Sequence, residues 1–245
     1  MKNIFIIGAN SSIALPCIKI WAKKKYRLYL LGRNGQKLNI LKKELERDYN
    51  ANVEIVVKDL KNQKSCEELK DEYFKKNSLL DVLFICYGVL GNQEKLLSNN
   101  DSLSDHLFIN SISKIIIINS FVEYFKKQKN GTIAVITSVA GDIGKSSNFV
   151  YGSSNAMLTN YLSGLRQDLF DFNIKVVNAK PGLIETPMTY GFKKNILYSN
   201  PKKICTKLVN SIEKSNSDIY LPFFWRYIIL VIKIMPKFLF NRLKI

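Results

Sequence analysis

Apolar residues in this chain fall into short β-branched runs separated by longer stretches where they recur at helical spacing. Residues 3–7 form an apolar run closed by Gly8-Ala9-Asn10-Ser11-Ser12, and a helical pattern occupies 13–24. A second strand is predicted over 26–31, ended by Gly32-Arg33-Asn34, then a charged helix over 36–49. Residues 53–57 read as a third strand ending at Lys58-Asp59, and a polar helix leads to a fourth, Val82-Leu83-Phe84-Ile85, stopped at Gly88. Further on come a helix over 106–126, a strand over 132–136, a helix over 151–170 and a strand over 175–179 stopped by Pro181-Gly182. This alternation predicts an α/β fold, a doubly wound parallel sheet with helices on both faces. Such sheets bind ligands at the carboxyl ends of their strands, where the polar and glycine-bearing segments of this chain fall.

The 245 residues suit one domain, and no composition break divides them. A formal net charge of +17 implies attraction to something anionic: nucleic acid, an anionic membrane face or a phosphorylated substrate. No zinc-finger spacing, RNA-binding aromatic signature or basic arm supports nucleic acid, and a lysine-rich surface without any special patch explains the charge equally well. Cys17, Cys66, Cys86 and Cys205 form no C-x-x-C pair and have no metal-like spacing to His106, the only histidine. No metal site is expected, and His106 reads as a packing or surface residue. The run at 5–7 is too short for a signal peptide, so residence in the cytoplasm is expected.

The candidate chemistry lies in Ile136-Thr137-Ser138-Val139-Ala140-Gly141 and Tyr151-Gly152-Ser153-Ser154-Asn155-Ala156. Reducing a ketone needs a hydride on carbon and a proton on oxygen. A tyrosine supplies that proton only if its phenol pKa is brought down from ~10 toward the working pH. A serine and a tyrosine so placed resemble the catalytic pair of the short-chain dehydrogenase/reductases. The resemblance covers residues 1–190 and implies a Rossmann-type, NAD(P)-dependent oxidoreductase. It casts Tyr151 as proton donor, Ser138 as the hydrogen-bond partner of the substrate oxygen, and Asn110 as the holder of a water. The family's lysine, four residues after the tyrosine, lowers the phenol pKa and holds the nicotinamide ribose; that position here is Asn155. One turn beyond Tyr151 on the same face, Asn155 can bond a ribose hydroxyl but brings no charge. Three readings stay open: an enzyme that is slow or rescued by the oxidised nicotinamide's charge, a substitute cation in Lys180 or Lys145, or an impaired pseudoenzyme that binds NADP or a protein partner.

The same resemblance assigns the cofactor residues. The turn Gly8-Ala9-Asn10-Ser11-Ser12-Ile13-Ala14 is similar to the family's G-x-x-x-G-x-G motif, with Ser12 and Ala14 at the other two glycine positions; helix amides there face a pyrophosphate. Arg33 stands where an acid would select a free ribose 2′-hydroxyl, so NADP is preferred over NAD. Asp59 matches the acid that caps the adenine, with Leu60 beside it. Gly88 ends a strand that partly matches N-N-A-G, and Pro181, Gly182 and Thr186 keep the P-G-x-x-x-T loop that closes over the nicotinamide.

The expectation for organisation is residues 1–194 as the NADP-binding core and 195–245 as a substrate-side helix and hydrophobic–basic C-terminal tail of the same domain. If residues 226–237 were helical, Arg226, Lys233 and Lys237 would share one face, suited to an anionic membrane interface without crossing it. Closing the core or forming the seam of a homo-oligomer is the competing use. The tail resembles, more weakly, membrane-associated reductases of keto-sugars carried by polyprenyl phosphate. The expected partner is therefore a small-molecule or lipid-linked ketone or alcohol.

Overall fold

The computed structural model describes residues 1–242. Its sheet has seven parallel strands: β1 (Asn3–Ile7), β2 (Arg27–Gly32), β3 (Val53–Val57), β4 (Val82–Ile85), β5 (Gly131–Ile136), β6 (Ile174–Pro181) and β7 (Asp218–Leu221). They lie in the order β3-β2-β1-β4-β5-β6-β7. The chain winds outward in both directions from the β1–β4 pair, and the crevice beyond those two strand ends is where such a sheet takes a ligand. Strands covered on both faces need no polar alternation, and Val82 to Ile85 are accordingly all buried.

One face carries α1 (Ala14–Lys23), α2 (Gly35–Tyr49) and α8 (Pro201–Lys214), packed through Trp21, Leu38, Leu45 and Leu208. The other carries α3 (Gln63–Phe74), α6 (Ser113–Gln128) and α7 (Phe149–Asp168), packed through Leu69, Phe121, Phe125 and Leu158. Five asparagines act as helix caps. The side chains of Asn34, Asn62, Asn92, Asn99 and Asn200 each accept from a backbone N–H two or three residues on, which satisfies an otherwise orphaned donor.

The helix expected over 106–126 begins six residues early. After α4 (Gln93–Ser98), α5 (Asn100–Leu107) continues through a π-helical turn at Phe108–Ile112 into α6. The polar start Asn99-Asn100-Asp101-Ser102 reads as loop, but Asn99 caps it by accepting from Ser102 N at 2.7 Å. The helical stretch Asn100–Gln128 is long and apolar enough to cross a membrane on length and composition alone. Its residues Ile117, Ile118, Phe121 and Phe125 are buried in the core instead.

The sheet also runs past residue 194. Residues 219–221, expected in the tail, lie inside β7 and pair with β6, and α8 buries Ile204, Leu208, Val209 and Ile212 against the core. A four-residue strand carries too little pattern to be seen alone. The expected continuous helix over 226–237 is two: α9 (Trp225–Ile234) and α10 (Lys237–Phe240). Met235, held extended ahead of Pro236, breaks it. The three tail cations therefore share no single face, and Lys233 Nζ turns to within 3.8 Å of Asp142.

Candidate active site

Gly8 begins the site. Its φ of +92° favours glycine, and a Cβ there would meet the Cys86 carbonyl oxygen at 2.6 Å. The Gly8 and Ala9 amides both donate to Leu31 O at 2.9 Å, so the turn is drawn tight among β1, β2 and β4. No side chain caps α1 at Ile13, but its first turn keeps few free amides: Leu15 N donates to Ser11 O at 3.0 Å, and Pro16 has no N–H. The turn's polar side chains Ser11 and Asn10 are partly used inside the protein. Ser11 Oγ accepts from Ile13 N and from the Cys86 thiol, both at 3.3 Å, and Asn10 Nδ2 donates to Asn34 O at 3.4 Å.

The turn opens into a cavity of about 890 Å³ along the carboxyl edge of the sheet. At one end Arg33 and Asn34 leave β2, while Asp59 and Leu60 follow β3. Lys37 and Lys58 line the same end and were not foreseen as site residues. Lys58 is occupied, bonded to Glu68 at 3.0 Å and to Glu72. Arg33 and Lys37 form no ion pair among the described residues, and they stand four apart at the start of α2, a spacing visible in the sequence.

At the other end Ser138, Tyr151 and Asn155 share the cavity wall with Asn110 and Gly88. Ser138 Oγ accepts from Ala140 N at 3.1 Å, capping a short 3-10 turn at Val139–Gly141 that presents the serine at the end of β5. Tyr151 lies in the first turn of α7. Burial pushes its phenol pKa up, and hydrogen bonding from Ser138 and Asn155 only partly offsets this. Asn155 Nδ2 donates one of its two hydrogens to Tyr151 O at 2.9 Å.

Asn110 sits in the π-helical turn, an interruption common at functional sites. Its Oδ1 accepts from Val89 N, and its Nδ2 donates to Val89 O and His106 Nε2, each at 2.9 Å. The expected water-holding side chain is thus a clamp on the loop after Gly88. His106 is a buried partner of that clamp, and burial lowers its pKa.

Pro181, Gly182 and Thr186 close the cavity beyond β6. Trp225, the first residue of α9, covers Gly182 so closely that a Cβ there would fall 1.9 Å from its Nε1. Neither substitute cation weighed from the sequence is available. Lys180, nearly fully buried, bonds Asp142 at 2.9 Å and Asp218 at 2.8 Å, and neither it nor Lys145 lines the cavity. A different lysine does: Lys114, four residues after Asn110, which sequence reading passed over as part of a core helix.

A parallel sheet with a glycine turn after β1, a serine after β5 and a tyrosine at the start of α7 defines an oxidoreductase built on a dinucleotide-binding fold. The short chain dehydrogenase profile matches residues 2–196, and the chain belongs to that family. It is 24% identical over 211 residues to an uncharacterised oxidoreductase of Staphylococcus haemolyticus, covering 84% of this chain and 89% of the relative. It is 27% identical over 187 residues to an NADP-dependent 3-hydroxy acid dehydrogenase of Schizosaccharomyces pombe, covering 76% and 72%. In fold it is similar to a short-chain dehydrogenase from Sphingobium yanoikuyae in complex with NADPH, with a TM-score of 0.84 at 17% identity over 94% of this chain and 92% of that one.

Proposed function

We propose that the protein is an NADPH-dependent carbonyl reductase that turns a ketone into the alcohol. The observation that carries this is one continuous cavity holding the Gly8 turn and Arg33 at one end and Ser138 and Tyr151 at the other. The residues present fit the dinucleotide: a cradle at Gly8 that a Cβ would fill, and two unpaired cations, Arg33 and Lys37, where a 2′-phosphate would lie. Asp59 and Leu60 would hold the adenine, Asn155 a ribose hydroxyl, and Pro181, Gly182 and Thr186 the nicotinamide. When bound, reduced nicotinamide supplies the hydride that the carbonyl carbon receives. Ser138 hydrogen-bonds the carbonyl oxygen, and Tyr151 gives that oxygen its proton, leaving a phenolate to be reprotonated from solvent. NADPH oxidation against a panel of ketones tests the reading, and Tyr151→Phe should abolish it. Tight NADPH binding with no turnover on any carbonyl would favour the rival, a non-catalytic NADP-binding protein.

A second reading concerns where the enzyme works. Trp225 and Ile229 of α9 are buried near Val139, while Tyr227, Leu230, Val231 and Ile234 stand exposed, with Phe238 and Leu239 of α10 beyond them. Arg226 and Lys237 flank this apolar surface. We take it as a contact with the cytoplasmic face of an anionic membrane, which would present a lipid-linked ketone to the cavity that α9 adjoins. Binding to liposomes tests it.

A further inference from the structure

Among the described residues Lys114 is the one lysine on the cavity wall beside the serine–tyrosine pair, and its surroundings are unusual for a cation. It is only 2% exposed, and no carboxylate approaches it among the described residues. Its ammonium has one protein acceptor, Ile136 O at 3.4 Å, at the end of the strand that presents Ser138. It lies 5.3 Å from the centre of the Tyr87 ring, and a Cβ on Gly88 would come within 3.8 Å of Nζ. An ammonium carries three donors, so two remain for whatever fills the cavity. An unpaired buried cation is expensive, and a fold retains one most readily when a bound group completes its shell.

The chain offers a reason for its place. The charge missing at position 155 is a charge facing this cavity, and Lys180 cannot supply it because two carboxylates hold it elsewhere. Asn110 and Lys114 are one turn apart in the helix, so the residue that clamps the loop after Gly88 and the residue that brings the charge share a face.

We propose that Lys114, arriving from α6 rather than α7, is the catalytic cation of this enzyme: its ammonium bonds the nicotinamide ribose hydroxyls and stabilises the phenolate left on Tyr151. This rests on the carbonyl-reductase reading above. The titratable groups nearest it are Cys86 and Tyr87, just past the end of β4; Tyr151 of α7 and Asn110, with its partner His106, belong to the same cavity wall, and none is a carboxylate. Burial brings the Lys114 pKa down to about 8, so the free protein loses this charge just above neutrality.

The test is NADPH affinity, read by fluorescence titration between pH 6.5 and 9.5, for the unmodified protein, Lys114→Met, Lys114→Arg, and Lys114→Met combined with Asn155→Lys. The unmodified protein should bind more weakly as pH rises through about 8. Lys114→Met should bind at least tenfold more weakly near neutrality, with that alkaline break gone. Lys114→Arg should keep much of the affinity, and the double variant should regain both affinity and turnover, because the charge returns to the same cavity from the other helix. Affinity that is flat with pH in the unmodified protein, or unchanged by Lys114→Met in a folded variant, overturns the assignment. A protein that binds no NADPH at all would instead overturn the reading beneath it. Binding together with Tyr151-dependent turnover that Lys114→Met leaves intact would spare the reading and sink only the role of Lys114.

Discussion

Asn155 returns its side-chain amide to the carbonyl of Tyr151, one turn back on the same helix, at 2.9 Å. The bond commits one of the two amide hydrogens of Asn155 to the backbone, and the group beside the phenol is neutral. Burial raises the Tyr151 pKa, and the neutral Asn155 offsets this only in part, when proton transfer calls for the reverse. The consequences are measurable.

Replacing Tyr151 with Phe removes the proton donor and one hydroxyl from the cavity. Turnover on a ketone should fall by ~10²–10⁴-fold. The NADPH dissociation constant should change little, since the pyrophosphate turn and the adenosine end are untouched. Steady-state rates paired with a binding titration separate the two effects, and equal losses in both would point to a structural role.

Arg33 and Lys37 are the unpaired cations of the adenosine end. NADPH should bind at least tenfold more tightly than NADH, ~1.4 kcal/mol, and Arg33→Ala should remove most of that preference. Lys37→Ala should add to it, through a side chain that lines the same end. Equal affinities for the two cofactors in the unmodified protein would end the argument for a 2′-phosphate site.

Gly182 has no room for a methyl group, because Trp225 stands where its Cβ would be. Gly182→Ala should cost roughly 1–3 kcal/mol of stability, as overpacked sites do. It should also loosen α9, visible as faster hydrogen exchange over residues 225–234. A melting temperature like that of the unmodified protein would mean that Trp225 moves aside freely.

Asp218 holds Lys180 at 2.8 Å and Arg166 at 2.7 Å. Burial alone would raise its pKa, but the bonds to Lys180 and Arg166 more than reverse this and hold the carboxyl below its usual value. A carboxyl depressed in the folded state contributes stability that is complete above its unfolded pKa and is lost as pH falls through the folded one. Asp218→Asn should therefore lower stability by about 2 kcal/mol at neutral pH and by less in acid. Denaturant unfolding at pH 7 and pH 3 gives the comparison, and a loss that is constant with pH would contradict it.

Liposomes with acidic lipid should bind the protein, and salt should weaken the binding because surface charges are screened over ~10 Å at 0.1 M. Leu230→Glu combined with Val231→Glu, on the exposed side of α9, should release it while the fold stays intact. A protein that ignores acidic liposomes leaves the apolar face to a second copy of the chain, which sedimentation would reveal.

Local pattern alone determined most of the frame. The central strands β2, β1, β4 and β5 are buried almost throughout, so they form nearly uninterrupted apolar runs, and each crossover helix carries its own amphipathic stripe; both signals are local and survive without neighbours. Gly8 and Ser138 follow such runs directly and Pro181 ends another, so their gathering at one edge of the sheet was legible, with Tyr151 at the start of the helix after Ser138. The four residues of β7 were not, because they become a strand only by pairing with β6. Lys114 was hidden for a related reason. Along the chain it is one more lysine beside the run Ile115-Ile116-Ile117-Ile118, in a protein rich in lysine. Only packing α6 against the ends of β4 and β5 buries its ammonium beside Gly88 and Ile136 and turns a common residue into an unpaired charge in the cavity. Burial and the absence of a partner arise between elements distant in sequence, and tertiary structure alone decided them.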